Sequence, residues 1–508
     1  MRETTIRELT EALDRAELLV KVKPEEPEAE TVLGITYDSR EIEPCMAFVC
    51  KGAHFNEDYL SEAIEAGAAC YVTGKPYGRG AAECPEIMVS DIRKAMPVLA
   101  RYCYGRVDEE ISLIGVTGTK GKSTTTYYMR YILDDCMAAN GEPSVAICSG
   151  IENYDGVITE ESCNTTPEIL ELYRHMDNAV SEGIGYLVME VSSQALKYDR
   201  VSGLEFEAGA FLNISTDHIS SAEHKDFDDY LESKLRLFRQ CRTACINLDC
   251  DEQERIREAA RECPYVTTFS QKDSSANVYA YDISSEGGHV RMRVRAQGIR
   301  GYDFDEEFEL GTFGTINVEN ALAAISLSAL LGIPVKYMQS GLAKAVSPGR
   351  MEVFTGKNGT RIAIVDFAHN KLSFEKFFET IREEFPGKKI ISVFGAPGGK
   401  ALARRAEMGE LAGANCEYCI LTEDDPGEED VNEICREIGR HVEKAGGKFE
   451  IVTDRAEAIR KAIAMLDDDT LLFIPGKGRE ARQKRGTEYV ETPSDVETVS
   501  RYIDADID

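Results

Sequence analysis

The 508-residue chain is expected to fold as an α/β protein. Three domains are predicted: a small N-terminal α/β domain, a larger central domain on a parallel sheet, and a C-terminal α/β domain. Three observations predict this. A β-branched apolar segment at 111–117 runs straight into a glycine-rich turn and then a helix-forming sequence. Two series of short apolar runs alternate with charged or alanine-rich stretches of helical character, the pattern of parallel strands joined by helices. At this length, about three domains are the ordinary outcome.

In chain order, the first hundred or so residues hold short strand candidates at 34–37, 47–49 and 69–72, and end in a polar connection near 106–110, which sets a first domain at 1–107. The turn that follows reads Gly115-x-x-Gly118-x-x-Gly121-Lys122-Ser123. A strict phosphate-loop pattern would need glycine at 116, where this chain has Val116. Strand before and helix after still make it a nucleotide phosphate cradle. Glycines let backbone N–H groups approach phosphate oxygens, Lys122 adds a point charge, the Ser123 hydroxyl can reach a magnesium ion, and the helix N-terminus favours anions. The chain is therefore expected to bind ATP or GTP. Further strand-like runs at 186–191, 209–214 and 243–248 place the site at the carboxyl ends of a parallel sheet. A polar, alternating stretch at 271–308 reads as an antiparallel sheet with one wet face and is assigned to the same domain, 108–348. The second alternating series, with runs at 362–366, 389–394, 418–422 and 471–474, forms a third domain at 349–508.

The balance of 58 Lys and Arg against 90 Asp and Glu, net −32, argues against nucleic acid or an anionic membrane as a general partner. Fifteen scattered cysteines and a charged N-terminal segment without a signal-peptide core suit a reducing cytoplasm. No apolar run approaches the roughly 18 residues of a membrane span. Cys416-Glu-Tyr-Cys419 lies in an apolar run with no second pair to complete a metal site, so it reads as small core residues, as do Cys241, Cys245 and Cys250.

Phosphoryl transfer from ATP needs magnesium, and magnesium takes hard oxygen ligands beside the phosphates. Glu190 ends an apolar strand, where a buried carboxylate is costly unless a cation accompanies it; taken alone it reads as a solvated or salt-bridged glutamate. His218 follows another strand; taken alone it reads as a structural histidine. Composition gives no reason to single out Lys234.

The loop Gly118-Thr-Lys-Gly-Lys-Ser123 is followed by Asn164-Thr-Thr-Pro167, Glu190-Val-Ser-Ser193, Asp217-His218, Ser347-Pro-Gly-Arg-Met-Glu352, Val365-Asp-Phe-Ala-His369 and Gly476-Lys-Gly478. In that order, and with Asp38-Ser39-Arg40 upstream, these motifs resemble the Mur ligases, specifically the MurE branch, over nearly the whole chain. The resemblance implies a central ATPase domain between a UDP-sugar-binding N-terminal domain and a Rossmann-like C-terminal domain. It also implies a cytoplasmic, monomeric ligase acting on UDP-N-acetylmuramoyl-L-alanyl-D-glutamate in peptidoglycan synthesis. ATP would phosphorylate the glutamyl side-chain carboxylate, and an incoming amine would attack the acyl phosphate.

Carried over residue by residue, the resemblance gives Gly118, Thr119, Lys120, Gly121, Lys122, Ser123 and Thr124 to the ATP phosphates. Ser123 and Glu190 would hold one magnesium and His218 a second. Lys234 would be a carbamylated lysine, an amine that has captured carbon dioxide and become an anion supporting the metal. Asn317 and Asn320 would face the adenine, and Arg350, Asp366 and His369 would reach ATP from the third domain. Ser39 would lie near the uridine diphosphate, with Asn164, Thr165, Thr166, Ser192, Gln194 and Arg200 along the muramoyl peptide. Gln194 stands where many relatives have histidine.

Diaminopimelate-adding relatives have Asp-Asn-Pro-Arg where this chain reads Asp424-Asp425-Pro426-Gly427. Loss of that guanidinium, beside a second aspartate, favours a side chain ending in a bare ammonium, so L-lysine is expected. Arg404 or Arg405 would take the amino acid's α-carboxylate, and Asp424, Asp425 and Glu480 would face its amines. Ornithine offers the same charge pattern, and meso-diaminopimelate remains an alternative. Competing readings are a folylpolyglutamate synthetase-type ligase and a non-catalytic nucleotide-binding partner of cell-wall enzymes.

Overall fold

The computed structural model describes residues 3–25, 30–52, 55–77, 84–216, 219, 223–286, 289–356, 359–399 and 402–505. It forms two compact units. The first comprises Met1–Ala280, Val294–Glu306 and Glu319–Gly341; the second comprises Tyr281–Arg293, Glu307–Val318 and Leu342–Asp508.

The first unit opens with a five-stranded sheet in the order Leu19–Lys23, Glu86–Val89, Cys70–Thr73, Met46–Val49, Gly34–Thr36. The last four are parallel, and Leu19–Lys23 is an antiparallel edge. Cys70–Thr73 is buried throughout, as a parallel strand covered on both faces must be. The sequence reading missed Leu19–Lys23 and Glu86–Val89. The former alternates Lys with Val shortly after an amphipathic helix and, as the edge strand, has a single partner. Asp91 starts the covering helix Ile92–Tyr104 by accepting from the N–H groups of Arg93 and Lys94.

The unit's second sheet runs Thr159–Glu161, Glu152–Tyr154, Ala146–Cys148, Tyr186–Glu190, Ser112–Thr117, Phe206–Phe211, Thr243–Asn247, Tyr265–Ser270 and then Val278 and Tyr279, the first residues of Val278–Glu286. From Ala146–Cys148 onward every pairing is parallel. Ser112–Thr117 is thus central, with Glu190 level with Val116 on one side and Phe211 level with Thr117 on the other. That register brings three strand ends to one place. The alternating stretch forms Val278–Glu286, His289–Ile299 and Tyr302–Leu310, whose residues divide between the two units.

The second unit has a six-stranded sheet: Glu352–Gly356, Arg361–Asp366, Thr470–Pro475, Lys389–Phe394, Tyr418–Leu421, Phe449–Ile451. Only Glu352–Gly356 is antiparallel. Helices cover both faces, one around Phe374, Phe377 and Phe473, the other around Ile459, Ile463 and Val499. Cys416 and Cys419 are free and buried in this core, and burial pushes the Cys416 thiol up, as an inert core residue requires. Cys241, Cys245 and Cys250 are also free.

Candidate active site

The turn after Ser112–Thr117 leads into the helix Lys122–Asn140, with Gly121 at its N-cap in the left-handed region, φ 86°. A side chain there is excluded twice over, because a Cβ would sit 2.1 Å from Asn320 Oδ1. Asn320, expected near adenine, is therefore packed on the phosphate loop itself. Lys122 Nζ donates to the carbonyls of Gly118 at 3.1 Å and Thr119 at 3.3 Å. Asn213 clamps the loop from the neighbouring strand end. Its carbonyl accepts from Thr119 N, its Oδ1 accepts from Lys120 N at 2.9 Å, and its Nδ2 donates to Lys120 O at 3.1 Å. Asn213 was not singled out from the sequence; an asparagine just after a strand carries no signal of what it will hold.

Ser123, in the first helical turn, donates through Oγ to Glu190 Oε1 at 2.7 Å, and Gly150 N donates to the same oxygen at 2.8 Å. Glu190 is buried. A hydroxyl and a carboxylate side by side next to a phosphate cradle are the hard oxygens magnesium takes, with phosphate oxygens completing its shell. Lys234, only 2% exposed, donates to Gly118 O at 2.8 Å with its ammonium 4.7 Å above the Tyr230 ring. Tyr230 in turn shares a 3.1 Å hydrogen bond with Thr119 Oγ1. His218, with Asp217, lies outside the described residues. A histidine not singled out, His224, is buried beside Ser193 Oγ at 3.0 Å and Asp229 Oδ2 at 3.3 Å; burial, aided by Lys197, lowers its pKa.

The residues expected along the muramoyl peptide surround the next strand end. Thr166 donates to Glu190 O at 2.9 Å and accepts from Ser192 N at 3.0 Å, while Ser192 caps the helix Ser193–Lys197. Gln194 donates to Glu223 at 3.1 Å. Thr165 is half-buried and Asn164 exposed. Arg200 lies 2.9 Å from Glu168 Oε1, and the opposite Glu168 oxygen is 2.5 Å from Lys51. Lys51 sits 4.3 Å over the Tyr37 ring, and Tyr37 donates to Glu171. The network joins Arg200 to the strand end beside Ser39, whose Oγ donates to Glu62 at 2.8 Å. Lys51 and Glu168 were missed because each is one charge among many.

In the second unit, Asp366 accepts from Met351 N at 2.8 Å, the Arg350 guanidinium lies 4.8 Å from the Phe367 ring, and His369 Nδ1 is 2.8 Å from Phe367 O. Asn317 donates to Phe313 O at 2.7 Å. At the carboxyl ends of the sheet, Lys477 is buried between Asp425 Oδ1 at 3.0 Å and Glu480 Oε2 at 2.5 Å. Two of the three acidic residues expected to face the amino acid's amines thus already share an internal ammonium. Burial pushes the third, Asp424, up to about 6, against the pull of Arg455 and Lys477. Gly427 adopts φ 58°, the left-handed region where arginine is strained. Arg405 is buried against Glu429, Glu437 and Pro397 O, whereas Arg404, on the same helix, is half-buried.

Comparison with known proteins matches residues 116–328 to the Mur ligase middle domain and 349–478 to the family described as Mur ligase, glutamate ligase domain. The chain is 37% identical over 462 residues to the UDP-N-acetylmuramoyl-L-alanyl-D-glutamate--L-lysine ligase of Enterococcus faecalis, covering 89% of this chain and 88% of that one. It is 34% identical over 475 residues to the protein of the same name from Streptococcus mutans, covering 92% of each. Among solved structures, a UDP-N-acetylmuramoyl-L-alanyl-D-glutamate--2,6-diaminopimelate ligase shares the fold with a TM-score of 0.67 at 23% identity, over 99% of both chains. A MurF ligase from Thermotoga maritima, solved in complex with ADP, aligns with a TM-score of 0.60 at 19% identity, over 87% of this chain and 93% of that one.

Proposed function

This chain belongs to the Mur ligase family, and on that premise we propose that it adds L-lysine to the glutamyl side-chain carboxylate of UDP-N-acetylmuramoyl-L-alanyl-D-glutamate. It does so as an ATP-dependent amide ligase. The loop Gly118–Thr124 and Lys122 hold the nucleotide phosphates, and Asn317, Asn320, Arg350, Asp366 and His369 are assigned to the rest of the nucleotide. Ser123 and Glu190 hold magnesium, with His218 assigned to a second ion. Magnesium, when bound, neutralises charge on the transferring phosphoryl group. The carbamate assigned to Lys234 replaces a buried cation by an anion beside that metal. Ser39, Asn164, Thr165, Thr166, Ser192, Gln194 and Arg200 bind the UDP-muramoyl dipeptide. The domains proposed are 1–107, 108–348 and 349–508.

The γ-phosphoryl group passes to the glutamyl carboxylate, and the lysine amine then displaces phosphate from the acyl phosphate to form the amide. The protein's own part is positioning and charge stabilisation. Arg404 is assigned to the amino acid's α-carboxylate, with Arg405 supporting the same loop region through Glu429. Asp424, Asp425 and Glu480 face the amines, with Lys477 sharing part of that charge. No helix among the described residues is long and apolar enough to cross a membrane, and we assign the enzyme to the cytoplasm as a monomer.

The observation that carries the choice of lysine is Gly427. Its left-handed backbone suits glycine and not the arginine that would pair with a second carboxylate. The experiment is ADP release with the UDP-muramoyl dipeptide and L-lysine, L-ornithine or meso-diaminopimelate at equal concentration. Lysine is expected to be preferred; preference for diaminopimelate would refute the assignment.

A further inference from the structure

Resting on the reading of Asp424-Asp425-Pro426-Gly427 as the loop that meets the incoming amino acid, we propose that Gln483 is a specificity-determining positioning residue. It fixes the backbone of Asp425, and with it the direction of the Asp424 and Asp425 carboxylates.

Asp425 is held at φ 47°, in the left-handed region. For a residue with a side chain that conformation is strained, so its neighbours must impose it. Gly398 N holds the Asp425 carbonyl at 3.1 Å; the others belong to a hairpin that the sequence reading did not register, Arg482–Arg485 paired antiparallel with Glu488–Glu491. Gln483 is 2% exposed and accepts the Asp425 N–H through Oε1 at 2.8 Å. Lys484 N donates to Asp425 Oδ1 at 2.8 Å, beside Lys477 Nζ at 3.0 Å. Two residues on, Gly427 N donates to Lys484 O at 2.9 Å, and Gly427 O accepts from Gly486 N at 2.7 Å. Arg485 pairs with both oxygens of Glu423, just before the loop, at 2.8 and 3.0 Å.

The hairpin therefore grips the loop at 425 and 427, and the residue before it at 423. Three of the loop contacts use hairpin backbone groups that almost any residue supplies, Lys484 N, Lys484 O and Gly486 N, and the Arg485 pair lies outside the loop. The Gln483 contact depends on the side chain. Its neighbours Arg482, Lys484 and Arg485 carry only donors, which cannot accept an N–H; a neutral amide within Arg-Gln-Lys-Arg supplies the one acceptor at that point. Without it, Asp425 N–H loses its partner, φ is released toward the ordinary negative range, and the carboxylate turns away from Lys477.

The test compares full-length Gln483→Met, which keeps length and volume but cannot accept, with Gln483→Glu, which keeps an acceptor. For Gln483→Met the KM for the amino acid is expected to rise about tenfold, the order set by a buried donor left unpaired, with the KM values for ATP and the UDP-muramoyl dipeptide within about twofold of wild type. Amide hydrogen exchange at Asp425 should accelerate in the same variant. Gln483→Glu should restore both readouts. An unchanged amino-acid KM in Gln483→Met, or a uniform loss of folded enzyme in both variants, overturns the proposal while leaving the proposed activity intact. Wild-type enzyme whose ADP release ignores the amino acid offered overturns both.

Discussion

Replacing Asp424 by asparagine is expected to stabilise the protein at neutral pH while removing lysine-dependent turnover. Burial raises the Asp424 carboxyl from its ordinary 3.8 to about 6, despite the nearby Arg455 and Lys477. A carboxyl whose folded pKa lies above its unfolded value costs stability once it must ionise. The penalty is absent below about 3.8, grows as pH rises, and is complete above about 6. A shift of about two units corresponds to roughly 3 kcal/mol, and because the residue keeps some access to water about 1–3 kcal/mol is the working range. Asparagine has the same shape, so the tight approach of Gly476, where a Cβ would meet Asp424 Oδ2 at 2.5 Å, is preserved. Urea unfolding of both proteins across about pH 4 to 8 measures the effect. The gain should appear at the alkaline end and fade toward the acid end. A gain independent of pH, or none at all, would refute the claim that this carboxylate is held ionised against its surroundings for function.

Two further outcomes follow from the phosphate loop. Gly121→Ala places a Cβ against Asn320 Oδ1 and forces alanine to φ 86°; the strain alone is about 1–2 kcal/mol, so affinity for a non-hydrolysable ATP analogue should fall at least about fivefold by calorimetric titration. Unchanged affinity would separate Gly121 from nucleotide binding. Lys234→Ala removes the buried side chain that reaches Gly118. It should nearly abolish turnover and be partly rescued by small carboxylic acids that fill the carbamate position; full activity without rescue would remove Lys234 from the mechanism.

Much of the fold was legible in the chain because its signals are local. A β-branched run, a glycine-rich turn and a helix-forming stretch from 111 onward are contiguous, and the strands of the second unit recur as apolar runs bounded by turn residues. The edge strands Leu19–Lys23, Glu352–Gly356 and Phe449–Ile451 were not legible, since short edge strands take their stability from a partner and not from their own pattern. Motif order carried the family, and the comparisons agree with it.

What the sequence alone determined, then, is which residues have the chemistry: Lys122 and Ser123 at the start of a helix, Glu190 at a strand end, and glycine at 427. Tertiary structure decided which of them meet. Ser123 and Glu190 are 67 positions apart, and the parallel register of Ser112–Thr117 with Tyr186–Glu190 sets the helix that follows the first strand at hydrogen-bond distance from the end of the second. Asn213 on the phosphate loop, Lys477 between two carboxylates and Gln483 under Asp425 are ordinary polar residues by composition. Their roles arise from long-range packing, and a single sequence does not record which distant backbone a side chain will face.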